Sequence, residues 1–481
     1  MPKNIRQRKK PLHNWAHSTY PEPRYWEGKY AYFIKAVLIV LSLVYLSAIL
    51  SFFLLAKEKW IALGIIIILG LIAANPFRGL VLTVILGVFQ KGISPLGFYN
   101  IPLFTVCFSI TFIIWAFKHG IHLSKFKRTR LDVWAAAFFM LSISSTLFHI
   151  RIPSMQDIET IYPLLYLLSM LIVVGVFIIS KELLHTRKHI RQILIAILIT
   201  GIAVSAIGLI DSKFSLNLFN NEYVKPYKEI LGFPLGVDRI MSTFDNPNLL
   251  GMFLIYILPL CFYLAFDENE KPKREIMALA SLFILFIIWL TQDFSTWIAL
   301  VYAVAIILAI NLSRFMNKAF VVALIIIFTV LGTMLVVSNT QRWEGRWFVL
   351  WPTAINIISH NPFFGVGAGN YYLHYRQLSG FDWNFAFHAH NLYLQLWAER
   401  GIFAFIAFIG VIVVFMANKI RHLIVKKKSN HLITSMLFAV IATLISGAMQ
   451  FSFSWLGNEI LFWLYLIITI GVIENHMKLE I

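Results

Sequence analysis

Two histidines set two residues apart, His388 and His390, close a stretch in which ionisable side chains are concentrated. Between Gln341 and Gly401 the chain also carries Arg342, Glu344, Arg346, His360, His374, Arg376, Asp382, Glu399 and Arg400. Only 13% of the chain is charged, so this density asks for a chemical reason. Imidazole takes or holds a proton near neutral pH, which suits His390, with His388 as the alternative, to general-base work. The same stretch holds Gly365-Val366-Gly367-Ala368-Gly369-Asn370, whose alternating glycines would let backbone amides approach an anion. Plainer readings stand beside these: histidines at the headgroup level, and a glycine-rich turn with no ligand. A metal set lacks its third and fourth ligands, because Asp382 is the only nearby acid and His360 and His374 are distant in sequence. No strand–turn–helix context supports a nucleotide fold. The expectation is therefore a site without metal or cofactor.

A second polar segment ends Asp238-Arg239-Ile240-Met241-Ser242-Thr243-Phe244-Asp245-Asn246-Pro247-Asn248. An arginine at the edge of an apolar bundle either snorkels to the interface or holds phosphate through paired hydrogen bonds. Asn246-Pro247-Asn248 should open the following helix, whose free amide donors favour an anion nearby.

The elements that must position these residues are membrane helices. The 481 residues are 59% hydrophobic, with a mean hydropathy of +0.76. Apolar runs of bilayer length recur from Ala31 to Ile473, and in lipid such runs satisfy their backbone as helices. The fold class expected is an all-α, polytopic integral membrane protein with about 12–14 transmembrane helices. The runs at 60–75 and 79–90 are short for full spans, and a further run lies at 319–338. Residues 1–30 read as a basic cytoplasmic tail with no removable signal peptide, and 31–481 as one transmembrane helical domain.

Net charge is +18. In a chain this apolar the excess marks cytoplasmic loops, and no nucleic-acid partner is expected. Basic turns, such as Lys125-Phe126-Lys127-Arg128 and Lys426-Lys427-Lys428, alternate with short, acidic or mixed ones. That alternation puts both termini inside. It puts the long loops 211–247 and 339–400, and the turn Thr291-Gln292-Asp293-Phe294-Ser295-Thr296, on the outer face. Cys107 and Cys261 lie within apolar runs and read as packing residues.

The ordered motifs carry a resemblance. Arg239-x-x-Ser242-Thr243-Phe244-x-Asn246-Pro247-Asn248, the glycine-rich turn, His388-x-His390-Asn391-x-Tyr393-Leu394-Gln395 and Glu399-x-Gly401-Ile402 resemble the O-antigen ligase and Wzy-type polysaccharide polymerase superfamily. The likeness covers about 235–405 by motif and the whole chain by topology. It implies a GT-C-like, metal-independent transferase that moves a glycan from undecaprenyl diphosphate to a hydroxyl of a glycan, lipid or wall acceptor. Polymerisation of a surface polysaccharide, teichuronic acid or capsule included, and O-antigen-type ligation both fit. Flippase and chain-length proteins are implied as partners beside membrane lipids. By motif match, Arg239 would bind the diphosphate and His390 would be catalytic. Arg346, Arg342, Asn248, Gly365, Gly367, Gly369 and Asn391 complete the candidate set.

One departure stands out. Where the family commonly has an arginine after Thr-Gln, this chain has Phe294 in Thr291-Gln292-Asp293-Phe294. Arg346 or Arg342 would have to supply the second cation. No carboxylate pair flanks a cleavage point, so a single displacement with inversion is expected rather than double displacement. The competing class is a transporter or flippase of lipid-linked glycan, which should carry mid-span ionisable or helix-breaking residues. Pro163, Pro259 and Asp132 are available for that, but the polar signal sits in loops.

Overall fold

The structure, a computed structural model, describes residues 29–55, 59–89, 103–119, 129–150, 158–214, 239–244, 246–267, 271–312, 346–378, 388–425, 431–453 and 456–474, with scattered positions between 320 and 334. The run at 319–338 thus lies mostly outside the described residues, as do the basic tail and most of 211–247.

The described chain is helical and contains no strand. In order come α1 (Lys29–Leu55), α2 (Lys59–Ala73), α3 (Pro76–Leu86), α4 (Leu103–His119), α5 (Arg130–His149), α6 (Ile158–Leu183) and α7 (Arg187–Phe214). There follow α8 (Pro247–Asp267), α9 (Lys271–Thr291), α10 (Phe294–Leu312), a π-helical turn (Arg346–Leu350), α11 (Trp351–His360) and α12 (Tyr371–Leu378). The last are α13 (Leu392–Val425), α14 (His431–Gly447) and α15 (Leu456–Glu474). Seven described helices are long and apolar enough to cross a membrane, and six shorter apolar ones accompany them. The fold is an all-α polytopic membrane protein, as the hydropathy pattern requires.

Burial explains how these helices are arranged. α8 is the axis: 83% of its spanning window is buried. It packs against α7, α9, α10, α14 and α15. α1 turns Ile39, Leu43, Leu46 and Leu50 outward, each more than half exposed, as a lipid-facing stripe should. The two short runs are separate helices. Asn75 caps α3 by accepting a hydrogen bond from the Phe77 amide at 3.0 Å, and Pro76 occupies the first helical position.

Within the segment 339–400, residues 346–378 and 388–400 are described, and most of these are helical rather than extended. Arg346 sits on the π-helical turn, His360 on α11, His374 and Arg376 on α12, and Glu399 and Arg400 on α13, although composition alone suggested a loop. α13 is broken at Gly401, where φ is +79°. A Cβ there would lie 2.1 Å from the Phe363 carbonyl oxygen, so no other residue fits without moving that backbone. The break lets Ile402 N–H donate to Pro362 O at 2.9 Å, docking the glycine-rich turn onto the spanning helix.

Candidate active site

Arg239 stands on the short non-helical segment before α8. Its Nε donates to Thr291 O at 2.9 Å and its Nη2 to Asn248 Oδ1 at 2.7 Å. The segment is pinned from both sides: Ser242 Oγ donates to Val204 O and Thr243 Oγ1 to Val88 O, each at 2.7 Å. Asn246 caps α8, accepting from Asn248 N at 2.8 Å. Asn248 thus acts here by orienting Arg239. Ser242, Gln292 and His390 are the described non-glycine residues with positive φ, at +56°, +53° and +48°. All three lie on segments that build this site, where backbone strain of order 1–3 kcal/mol each is commonly retained.

The turn between α9 and α10 supplies Asp293. Its carboxylate accepts from Ser295 N at 3.1 Å and from Thr296 Oγ1 at 2.6 Å, capping α10. Phe294, at the position where an arginine was expected by resemblance, packs on the Trp297 ring at 4.9 Å. A cationic side chain does approach Arg239 from another element. Arg346, on the π-helical turn, donates from Nη1 to Met449 O at 2.7 Å. It lies within electrostatic reach of both Asp293 and Arg239. Burial lowers its pKa to about 10, Asp293 opposes that shift, and Arg239 adds to it. Burial likewise raises Asp293, against the pull of Thr296 and of both arginines. Two guanidiniums within electrostatic reach of one carboxylate make a site of the kind that suits a diphosphate. Arg342 lies outside the described residues.

The glycine-rich turn has a different job from the one its spacing suggests. Gly365, Gly367 and Gly369 all adopt positive φ. Their amides, however, are already used. Val366 N and Gly367 N donate to Ala398 O and Glu399 O at 3.0 and 2.8 Å, and Gly365 N to Asn361 O at 3.1 Å. Ala368 N reaches Thr146 Oγ1, while Gly369 N and Tyr371 N point to Glu399 Oε1 at 2.9 and 3.3 Å. The acceptor in this nest is the carboxyl oxygen of the protein's own Glu399, 1% exposed. The turn is a docking joint rather than an open phosphate cradle. Gly365 is needed because a Cβ would lie 2.4 Å from the Glu399 carbonyl.

The histidine pair sits where α13 begins. Asn391 is its helix cap, with Oδ1 accepting from Tyr393 N and Leu394 N at 3.0 and 3.1 Å and Nδ2 donating to Ala448 O at 2.9 Å. The two imidazoles are 4.1 Å apart, centroid to centroid. Burial, then the nearby Arg346 charge, lowers His388 to about 4. Burial, His388 and Arg346 together hold His390 well below its usual range, against the hydrogen bond it donates to Gln450. Both rings are therefore neutral at neutral pH. His388 Nδ1 accepts from His390 N at 3.3 Å, so its one proton sits on Nε2. His390 Nδ1 faces Gln450 Oε1 at 2.7 Å. Only His390 keeps an acceptor nitrogen uncommitted among the described residues, which favours it over His388 as the base.

Arg346 is the centre of the arrangement, since its charge reaches Arg239 and Asp293 on one side and both histidines on the other. The element that sequence reasoning missed is the turn after α14. Ala448, Met449 and Gln450 receive Asn391, Arg346 and His390 respectively. Along the sequence this turn merges with the apolar run before it, and Gln450 is the one amide side chain that interrupts it. Among the described residues no group of three potential metal ligands is present.

Residues 279–409 match the family model described as O-antigen ligase, Wzy_C. This supports the resemblance to the O-antigen ligase and Wzy superfamily and covers the Asp293 turn, Arg346, the glycine-rich turn and the histidine pair. Arg239 and Gln450 fall outside it. A Haemophilus influenzae protein, described only as an uncharacterized protein, is 25% identical over 253 residues, or 46% of this chain. The match spans 58% of that relative's length.

Proposed function

We propose that the protein transfers a glycan from undecaprenyl diphosphate to a hydroxyl acceptor at the outer leaflet, most simply to polymerise repeat units of a surface polysaccharide. The observation that carries this reading is the shared reach of Arg346. One cationic side chain couples an arginine-rich anion site to a neutral histidine pair, and the family match supports an O-antigen ligase- or polymerase-like membrane enzyme. Arg239 and Arg346 hold the diphosphate, with Arg342 available from the preceding segment. In the reaction the sugar C1–O bond to diphosphate breaks and a C1–O bond to the acceptor forms. His390 takes the hydroxyl proton, and a positioned base of this kind contributes roughly 100- to 10,000-fold. Negative charge growing on the leaving diphosphate meets guanidiniums already fixed in place, so little reorganisation is needed. Attack from the face opposite the diphosphate inverts the anomeric centre. With the N-terminus inside, the site faces outward.

Separate Arg239→Ala and His390→Ala substitutions test this, with surface glycan and lipid-linked precursors run on one gel. A polymerase variant loses long chains and accumulates single lipid-linked repeats. A ligase variant keeps long chains on the carrier and loses them from the final acceptor. Wild-type patterns from both variants refute the assignment, and precursors retained on the inner face point to transport.

A further inference from the structure

Gln450 lies beyond the family-matched segment, in a turn braced on every side. Gln450 N and Met449 N donate to Ser446 O at 2.9 Å, while Asn391 and Arg346 hold the carbonyls of Ala448 and Met449. The residue is 3% exposed, so its side chain has little freedom to swing. Its Oε1 stands 2.7 Å from His390 Nδ1. An amide oxygen has no proton to give, so Nδ1 must carry one. A neutral imidazole has a single N–H, which leaves Nε2 with its lone pair. No hydrogen bond reaches that Nε2 among the described residues.

The other half of the amide makes the case stronger. Gln450 Nε2 is buried with no hydrogen-bond partner among the described residues. Leaving a buried donor unpaired is unfavourable, because its hydrogen bond to water is lost and not replaced. A core position that needed only bulk would be better filled by an apolar residue, so the amide is retained for the contact it does make. The groups facing His390 are His388 on its own loop, Arg346 from the π-helical turn and, through Arg346, Arg239 and Asp293. None of these bonds Nδ1.

We propose that Gln450 is the positioning residue that fixes His390 as its Nδ1–H tautomer, so that Nε2 is the nitrogen that takes the acceptor proton. This rests on the transferase reading above and adds to it a residue outside the matched family segment.

The test compares Gln450→Ala, Gln450→Glu and His390→Ala in the full-length protein in liposomes. The donor is the lipid extract of a strain deleted for this chain, which accumulates the native carrier-linked glycan. Gln450→Ala should lower kcat roughly 10- to 100-fold with donor KM within about threefold, because half-ordered imidazole lowers the reactive fraction and not binding. Gln450→Glu can only accept, so it should restore most of kcat. Its added negative charge should move the acid limb of the kcat profile to higher pH. Wild-type kcat in Gln450→Ala overturns the proposal. So does a Gln450→Glu variant as impaired as Gln450→Ala with an unmoved acid limb, since that pattern belongs to packing alone. Activity surviving in His390→Ala overturns the underlying site assignment instead, so the two failures are distinguishable.

Discussion

Replacing Arg346 with glutamine should damage two properties at once. The side chain becomes shorter and loses its charge and its fork of donors. A charge-assisted hydrogen bond is worth about 1.5–3 kcal/mol, and partial exposure of Arg346 places the loss toward the lower half of that range. In rate terms kcat/KM should fall roughly 10- to 100-fold. The second effect is electrostatic. Arg346 lowers both histidines, so its removal lets His388 rise from about 4 toward its ordinary value and moves His390 in the same direction. A base whose pKa rises becomes protonated at higher pH, so the acid limb of the rate profile must shift upward in pH. Arg346→Lys keeps the charge, with a pKa far above neutral, and should leave the limb where it is while losing part of kcat/KM. Initial rates of transfer in liposomes across about pH 4–8 read both quantities. A glutamine variant with unchanged kcat/KM refutes the anion role. A rate loss with an unmoved acid limb refutes the coupling of Arg346 to the histidine pair.

Gly401→Ala should destabilise the folded protein by about 3 kcal/mol or more, because it combines a left-handed φ with a Cβ 2.1 Å from Phe363 O. Its thermal midpoint in detergent should drop, and an unchanged midpoint would mean the glycine-rich turn does not dock as described. Acid should also weaken the fold. His388 has its folded pKa at about 4 against an ordinary 6.5, so the unfolded chain binds its proton first as pH falls. The stability it contributes is complete above pH 6.5 and is lost on the way down to about 4, at most about 3.5 kcal/mol at roughly 1.4 kcal/mol per pH unit. Asp293, raised by burial, gains its proton early in the folded state and offsets part of that loss. A thermal midpoint that is flat between pH 7 and 4 in wild type, and equally flat in His388→Gln, would contradict the burial argument.

The chain's lipid solvent, its helical class and the segments bearing chemistry were legible without coordinates. Each of these rests on local composition. A run of apolar residues long enough for a bilayer can satisfy its backbone only as a helix, whatever its neighbours are. Arg239, His388, His390 and the Glu399–Gly401 joint were visible because polar residues are costly in such a chain and stand out. The same local logic misread the glycine-rich turn. Alternating glycines announce an amide nest, but nothing along the chain says that Glu399, thirty residues away from Gly369, already fills it.

The pairing of elements belongs to the tertiary structure alone. Phe294 left a charge missing from the expected set, and sequence offered Arg346 and Arg342 as replacements without choosing between them. The folded chain brings Arg346 beside Arg239 because the π-helical turn rests on Met449 O. It brings Gln450 to His390 because the end of α14 and the start of α13 meet at one face of the bundle. Hydropathy and motif spacing are properties of single segments, whereas the proton-bearing nitrogen of His390 depends on contact between segments sixty residues apart. Sequence by itself therefore determined the solvent, the helices and the ionisable residue types. That Arg346 comes near Arg239, and that His390 turns Nδ1 to Gln450, was decided only by packing.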